Sequence, residues 1–292
     1  MSELILMTDK TDEHIIEAIG RCRVVVRNGD VIEVGEARIT TCPLTKKFAH
    51  PISTLDKESV KANIEHRIKA WGMCTPRREV TDTKPFVGFG ASELLSFGLS
   101  AGLLDAVVLA CDGAGTVVVT KPALVQGIGG RMSGLVRTVP YKEVILRIEE
   151  NGGIVVDKAH AVLDQTAGVA KAYELGYKNV AVTVAIPAEA KKIRARYPDV
   201  MIFGVHVTGL DREEAEILVA SADLVTSCAS KTLREAAGKK ALLQAGVAVP
   251  IFAVTRKGKD LIIEKIRESS EQVLFKTTRL PALSEQQPEP LV

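Results

Sequence analysis

Chemistry in this chain gathers where short β-branched runs end. The run at 105–111 (DAVVLAC) closes on Cys111 and Asp112, the run at 154–157 on Asp157, the run at 201–206 on His206, and DLVTSC at 223–228 on Cys228. Thiolate, imidazole and carboxylate are the groups that bind soft metals or carry out nucleophilic and acid–base steps. DAVVLAC and DLVTSC share a layout: an aspartate, a β-rich run, then a cysteine at a small-residue turn. Parallel strands would bring such groups to one carboxyl edge, where open α/β sheets hold their ligands. The alternative for Cys111 and Cys228 is burial as small hydrophobes, common for free cysteine. For His206 it is an ordinary packed, hydrogen-bonded histidine.

Two further constellations carry weaker signals. Cys22, Cys42, Cys74, Cys111 and Cys228 could together hold an iron–sulfur cluster or another thiolate-bound metal. No CxxC spacing fixes a ligand geometry, and five widely spaced cysteines are not a disulfide framework. The stretch 87–134 holds ten of the 23 glycines. Within it Gly113 and Gly115 flank the CDGAG turn, and QGIGGRMSG at 126–134 reads as a glycine loop. There Gly129, Gly130, Arg131 and Ser133 could cradle an anion. The loop fits neither common phosphate-binding motif, and a tight crossing of backbones is the alternative. An enzyme built on these parts would bind a phosphorylated or carboxylated molecule, with Arg131, Asp112 and His206 in anion-binding and acid–base roles. Glu93 reads as a first-turn helix carboxylate. Lys231 and Arg234 read as a solvated helical face or as anion ligands at a helix start.

These groups need a frame. The sequence predicts an α/β fold: a layered parallel or mixed sheet with flanking helices, and a smaller N-terminal β-hairpin/helix portion. Strands are expected at 106–110, 117–120, 154–156, 180–186, 201–207, 224–227 and 251–255. Helices are expected at 91–99, 142–150, 165–175, 188–197, 212–221, 231–245 and 259–268. Strands alternating with helices of this length imply βαβ units. Toward the N-terminus, residues 12–19 read as a helix and Asn28-Gly29 as the turn of a hairpin. Residues 39–44 read as an edge strand, and residues 56–71 as an amphipathic helix ended by Gly72. The expected organisation is an N-terminal α+β portion at 1–85, an α/β domain at 86–276 and a mobile tail at 277–292.

Composition narrows the function classes. The chain has 292 residues, 46% hydrophobic and 25% charged, ordinary for a globular protein. Its net charge of +2 gives no field for nucleic acid, and 4% aromatic content gives little for base stacking. Neither a membrane span nor a signal peptide is evident, so a cytoplasmic location with reduced cysteines is expected.

Taken together, CRVVVRNGDVIEVGE, CPL at 42–44, NIEHRI with WGMCT, VGFGASE, CDGAGTV, LVQGIGGRMSGL, GYKNVAVTV, TSCASKTLRE and VPIFAVT resemble methanogenesis marker protein 8. This archaeal family carries a domain of unknown function. The likeness runs from about Cys22 to Arg256. It implies a protein serving methanogenesis, in the assembly, activation or protection of methyl-coenzyme M reductase. The partner would be that reductase or its activation machinery. All five cysteines fall at positions associated with the family pattern, which favours a thiol-based role. It supplies no catalytic residue.

Overall fold

A computed structural model describes residues 12–292, apart from residues 133, 271 and 275. The chain opens with an antiparallel meander, β1 (Glu13–Glu17), β2 (Arg23–Arg27) and β3 (Asp30–Val34). Asn28 and Gly29 turn the β2–β3 hairpin with φ of 52° and 80°, as their side chains permit. Residues 12–19 are therefore not the predicted helix. EHIIE buries alternate residues, His14 and Ile16, which is the two-residue period of a strand. Residues 39–44 are not an edge strand either. Thr41 makes a single bridge to Glu289, and a 3-10 turn follows at Pro43–Lys47. Helix α1 (Lys57–Trp71) starts at a capping box between Asp56 and Ser59 and stops at left-handed Gly72, φ 64°.

The larger part runs α2 (Ala91–Ser100), β4 (Ala106–Cys111), β5 (Gly115–Val119), α3 (Pro122–Gly129), β6 (Gly134–Arg137), α4 (Lys142–Glu150) and β7 (Ile154–Val155). It continues through α5 (Gln165–Glu174), β8 (Val180–Val184), α6 (Pro187–Arg196), β9 (Met201–Gly204), α7 (Arg212–Ser221) and β10 (Leu224–Thr226). It ends with α8 (Lys231–Lys240), β11 (Leu243–Ala245), β12 (Ile251–Ala253) and α9 (Arg256–Glu268). The predicted glycine loop at 126–134 is instead the end of α3, a turn, and the first residue of β6. Gly127 permits that helix because a Cβ there would lie 2.3 Å from Val80 O. Close packing overrides glycine's low helix propensity. The predicted helix at 231–245 is likewise split, because β11 leaves it to pair with β12.

An eight-stranded sheet has the order β11-β12-β10-β9-β8-β4-β5-β7. Its centre, β4, β8, β9 and β10, is parallel, and the remaining strands join antiparallel. One face buries Leu94, Leu124, Val144 and Leu261 from α2, α3, α4 and α9. The other buries Val169, Ile193, Leu218 and Leu233 from α5 to α8. A third core lies between the small sheet and α1, around Ile16, Val24 and Ile64.

Two connections tie the parts together. Strand β6 pairs antiparallel with β1, so the small sheet has the order β3-β2-β1-β6 and takes an edge from beyond residue 85. Residues 280–292 lie against the body: Val292 N donates to Ala229 O at 2.9 Å, and Gln287 reaches Val247 O at 2.9 Å. No described helix is long and apolar enough to cross a membrane.

Candidate functional site

A cavity of about 660 Å³ opens at the carboxyl edge of the central parallel strands. From the large sheet it is lined by Leu109 and Ala110 (β4), Thr183 and Ala185 (β8 and just beyond), and Val205 and His206 (just after β9). The small sheet supplies Glu17, Gly134 and Leu135 from β1 and β6. The location follows from topology. From β4 the chain winds outward through β5 and β7, then returns through α5 to place β8 on the other side of β4. Ligands bind outside the carboxyl ends of strands at such a reversal. The volume lies within the range of small-molecule sites.

His206 is the most constrained side chain there. It follows β9 with left-handed backbone, φ 57°, unusual for a residue carrying a Cβ. Its Nε2 lies 2.7 Å from Glu17 Oε2, and its side chain keeps 12% exposure. Glu17 also accepts Arg21 Nε at 3.3 Å, and Arg21 Nη1 donates to Thr208 O at 3.1 Å. The hydrogen bond to His206 is the main cause holding the Glu17 carboxyl below its usual range. Nδ1 of His206 makes no hydrogen bond among the described residues. Gly134 makes room for the imidazole: a Cβ there would lie 2.6 Å from Nε2. A carboxylate fixing one imidazole nitrogen and leaving the other available is the arrangement of a positioned acid–base group.

Other polar groups line the same space. Arg67 of α1 donates from Nη1 to Arg131 O at 2.9 Å, and its guanidinium lies 5.4 Å from the Phe48 ring centre. No carboxylate pairs with it among the described residues, and burial pushes its pKa down to about 10. Glu189 accepts Gln165 N at 2.9 Å, and burial raises its pKa. Glu93 accepts Phe86 N at 2.8 Å and Gln126 Nε2 at 3.3 Å, so it holds the 86–87 loop against α2.

The predicted site residues scatter. Cys228 and Cys42 line the cavity, with burial raising both thiols, Cys42 to about 11. Cys111 and Cys228 do share the carboxyl edge, but β8 and β9 separate their strands. Three strand spacings put β4 and β10 about 14 Å apart. Cys111 is fully buried in the core, and burial raises its pKa strongly. Asp112 is also fully buried and serves as a clasp. It accepts Arg78 Nε at 2.8 Å and Cys74 N at 2.6 Å. Cys74 is buried beside it, and Cys22 is buried at the third core, donating to Gly35 O at 2.9 Å. Among the described residues no group of three or more His, Cys, Asp or Glu is placed to hold a metal. The five cysteines lie in separate surroundings: Cys42 and Cys228 at the cavity, Cys111 in the core of the large sheet, and Cys22 and Cys74 in the third core.

Gly129 and Gly130 line the cavity, whereas Gly113 packs under Tyr141 and Val144 and Gly115 against Ala161. Arg131 points elsewhere: it binds Asp82 Oδ2 at 2.6 Å and stacks over Trp71 at 4.9 Å. Ser133 lies outside the described residues. Asp157 caps its own turn through Ala159 N and His160 N. Arg234 is buried, binding Cys228 O at 2.6 Å and Ser227 O at 3.3 Å. Sequence reasoning missed Glu17, Arg21 and Arg67. The alternation of β1 was the one available signal for Glu17.

Comparison with known proteins agrees on a family. The chain is 44% identical over 284 residues to an uncharacterized protein of Methanocaldococcus jannaschii, covering 96% of this chain and 100% of that one. Residues 14–267, which include both walls of the cavity described above, match one family profile. The chain belongs to the family described as "Uncharacterized protein conserved in archaea (DUF2099)".

Proposed function

We propose that this protein binds a small organic molecule at the sheet edge and moves a proton on it through His206. The observation that carries this reading is the His206–Glu17 pair inside a cavity of about 660 Å³. His206 accepts or donates the proton, and Glu17 holds its ring and steadies the imidazolium when it forms. Burial of the pair among apolar lining residues such as Ile19 and Leu135 strengthens that interaction. On the motif resemblance to methanogenesis marker protein 8, we place this activity in the cytoplasm of a methane-forming archaeon. There it would serve the assembly, activation or protection of methyl-coenzyme M reductase.

The test is direct. Wild-type protein purified anaerobically from its native host should carry or take up a metabolite that raises its melting temperature. His206→Gln should still fold but fail to replace the wild type in a deletion strain. Full rescue by that variant, with no metabolite bound by the wild type, would overturn the reading.

A second reading rests on Cys42 and Cys228 lining the same cavity. In it the two thiols, not the imidazole, exchange with a disulfide-containing ligand: one thiolate attacks a ligand sulfur, the ligand's S–S bond breaks, and its other half leaves as a thiolate. Loss of rescue in Cys228→Ala with full rescue in His206→Gln would favour it.

A further inference from the structure

Every carboxylate in the cavity wall is already engaged. Glu17 meets His206 and Arg21, Glu93 meets backbone N–H groups and Gln126, and Glu189 meets the start of α5. The Arg67 guanidinium is different. It has one hydrogen bond, to a neutral carbonyl, and one aromatic face, and no acid pairs with it among the described residues. It also shares a small recess with Glu17, Met132 and Gly134, beside the His206 imidazole. Arg67 is only partly exposed, and a cation drawn from water without a partner carries a desolvation cost. Folded proteins offset such costs by pairing, and among the described residues no anion pairs with Arg67.

Much of the remaining wall is hydrocarbon, interrupted by Ser92, Gln165, Thr183 and Thr226. Ile19, Ile39, Leu44, Leu95, Leu135 and Val205 face the cavity. Three further apolar side chains line it yet remain exposed: Phe86 at 37%, Val136 at 54% and Ile186 at 60%. Solvent-exposed lining of this kind marks the mouth. A molecule filling the site would therefore meet a positive fork within and apolar surface along the way out.

We propose that Arg67 anchors the oxyanion head of the ligand, a carboxylate, sulfonate or phosphate, and that the ligand's body is aliphatic and extends past Phe86, Val136 and Ile186. A planar guanidinium takes such heads through two parallel hydrogen bonds. This inference rests on the proposed small-molecule cavity and names the chemical class that it accepts.

Calorimetry on the full chain tests it with hexanoate, hexanesulfonate and hexyl phosphate, against hexanol and inorganic phosphate as controls. The hexyl anions should bind, one of the heads best, and both controls at least roughly tenfold more weakly. Arg67→Gln should lose roughly tenfold or more of that affinity, and Arg67→Lys should fall between. Ligand-free Arg67→Met should melt no lower than wild type, because it removes an unpaired charge. Hexanol binding as tightly as the anions, or unchanged anion affinity in Arg67→Gln, overturns the anchor while leaving the cavity reading intact. Phosphate binding as tightly as hexyl phosphate overturns the aliphatic body. A lower melting temperature in Arg67→Met with unchanged hexanoate affinity assigns the side chain to packing. Failure of every hexyl compound, neutral or charged, would count against the cavity reading itself.

Discussion

Glu17 and His206 stand 189 residues apart in the chain and 2.7 Å apart in the fold. The contact joins the small sheet to the large one across the cavity, so its titration reports on both. The Glu17 carboxyl is held below its usual value of 4.5, first by the His206 hydrogen bond. A lowered carboxyl pKa adds stability that is present above 4.5 and lost as pH falls through the lowered folded value. His206→Ala should let Glu17 titrate closer to 4.5, read by carbon-detected NMR. An unchanged Glu17 titration would mean the pair is not coupled.

Gly134 is required by its neighbour rather than by its strand. Alanine normally stabilises a strand interior relative to glycine. Here its Cβ would sit 2.6 Å from His206 Nε2 and push the imidazole off Glu17. Gly134→Ala should weaken hexanoate binding or shift the Glu17 titration, with the circular dichroism spectrum unchanged. Crystal structures of the variant would show the displaced ring.

The Arg78–Asp112 pair is fully buried, so removing either partner strands the other charge. Asp112→Asn and Arg78→Met should each destabilise the protein by roughly 3–5 kcal/mol. The double variant should cost less than the two singles added together. Urea denaturation of the four proteins measures this, and strict additivity would contradict it.

His14 is buried with Nδ1 on Thr138 Oγ1 at 2.8 Å and Nε2 on Tyr141 Oη at 2.9 Å. Burial lowers its pKa below 6.5, although Asp112 and Asp12 oppose the shift. Unfolding frees it to take up a proton. Stability should therefore be full above pH 6.5 and fall as pH drops below it. His14→Asn should flatten that slope, measured by melting temperature between pH 5 and pH 7 (roughly the span in which a histidine titrates).

The thiols should sort by place, not by sequence. Cys42 and Cys228 open on the cavity, but their raised pKa values keep them as thiols near neutrality. Alkylation of both should quicken as pH approaches the Cys42 value of about 11 and slow when hexanoate is bound. Cys74 and Cys111 should react only on unfolding. Rapid labelling of Cys111 in the folded protein would contradict its burial.

The layered α/β frame was legible because β-branched runs such as Val180–Val184 alternate with capped helices such as Arg212–Ser221. The carboxyl edge and His206 were legible for the same reason. The site's other half was not. Glu17 lies in a strand read as a helix, because EHIIEAI fits either period over so short a span. Arg67 sits on a helix whose sequence shows one apolar stripe and says nothing of what approaches its side. The glycines misled in the opposite direction. At Gly127 they serve close helix packing against Val80, whereas Gly90, Gly129, Gly130 and Gly134 reach the cavity. Asp112 and Cys111 were drawn to the site by type, but the strand pleat turns Cys111 into the core.

Strand β6 reaches the ribosome exit long after β1, the partner it completes. The N-terminal meander must therefore wait with a bare edge while α2, β4, β5 and α3 are synthesised. Nascent chains stalled before residue 134 should stay sensitive to protease in the meander and bind no ligand. Release of the whole chain, which also supplies β7 to β12, should complete both sheets, so the cavity comes into being late rather than growing wall by wall.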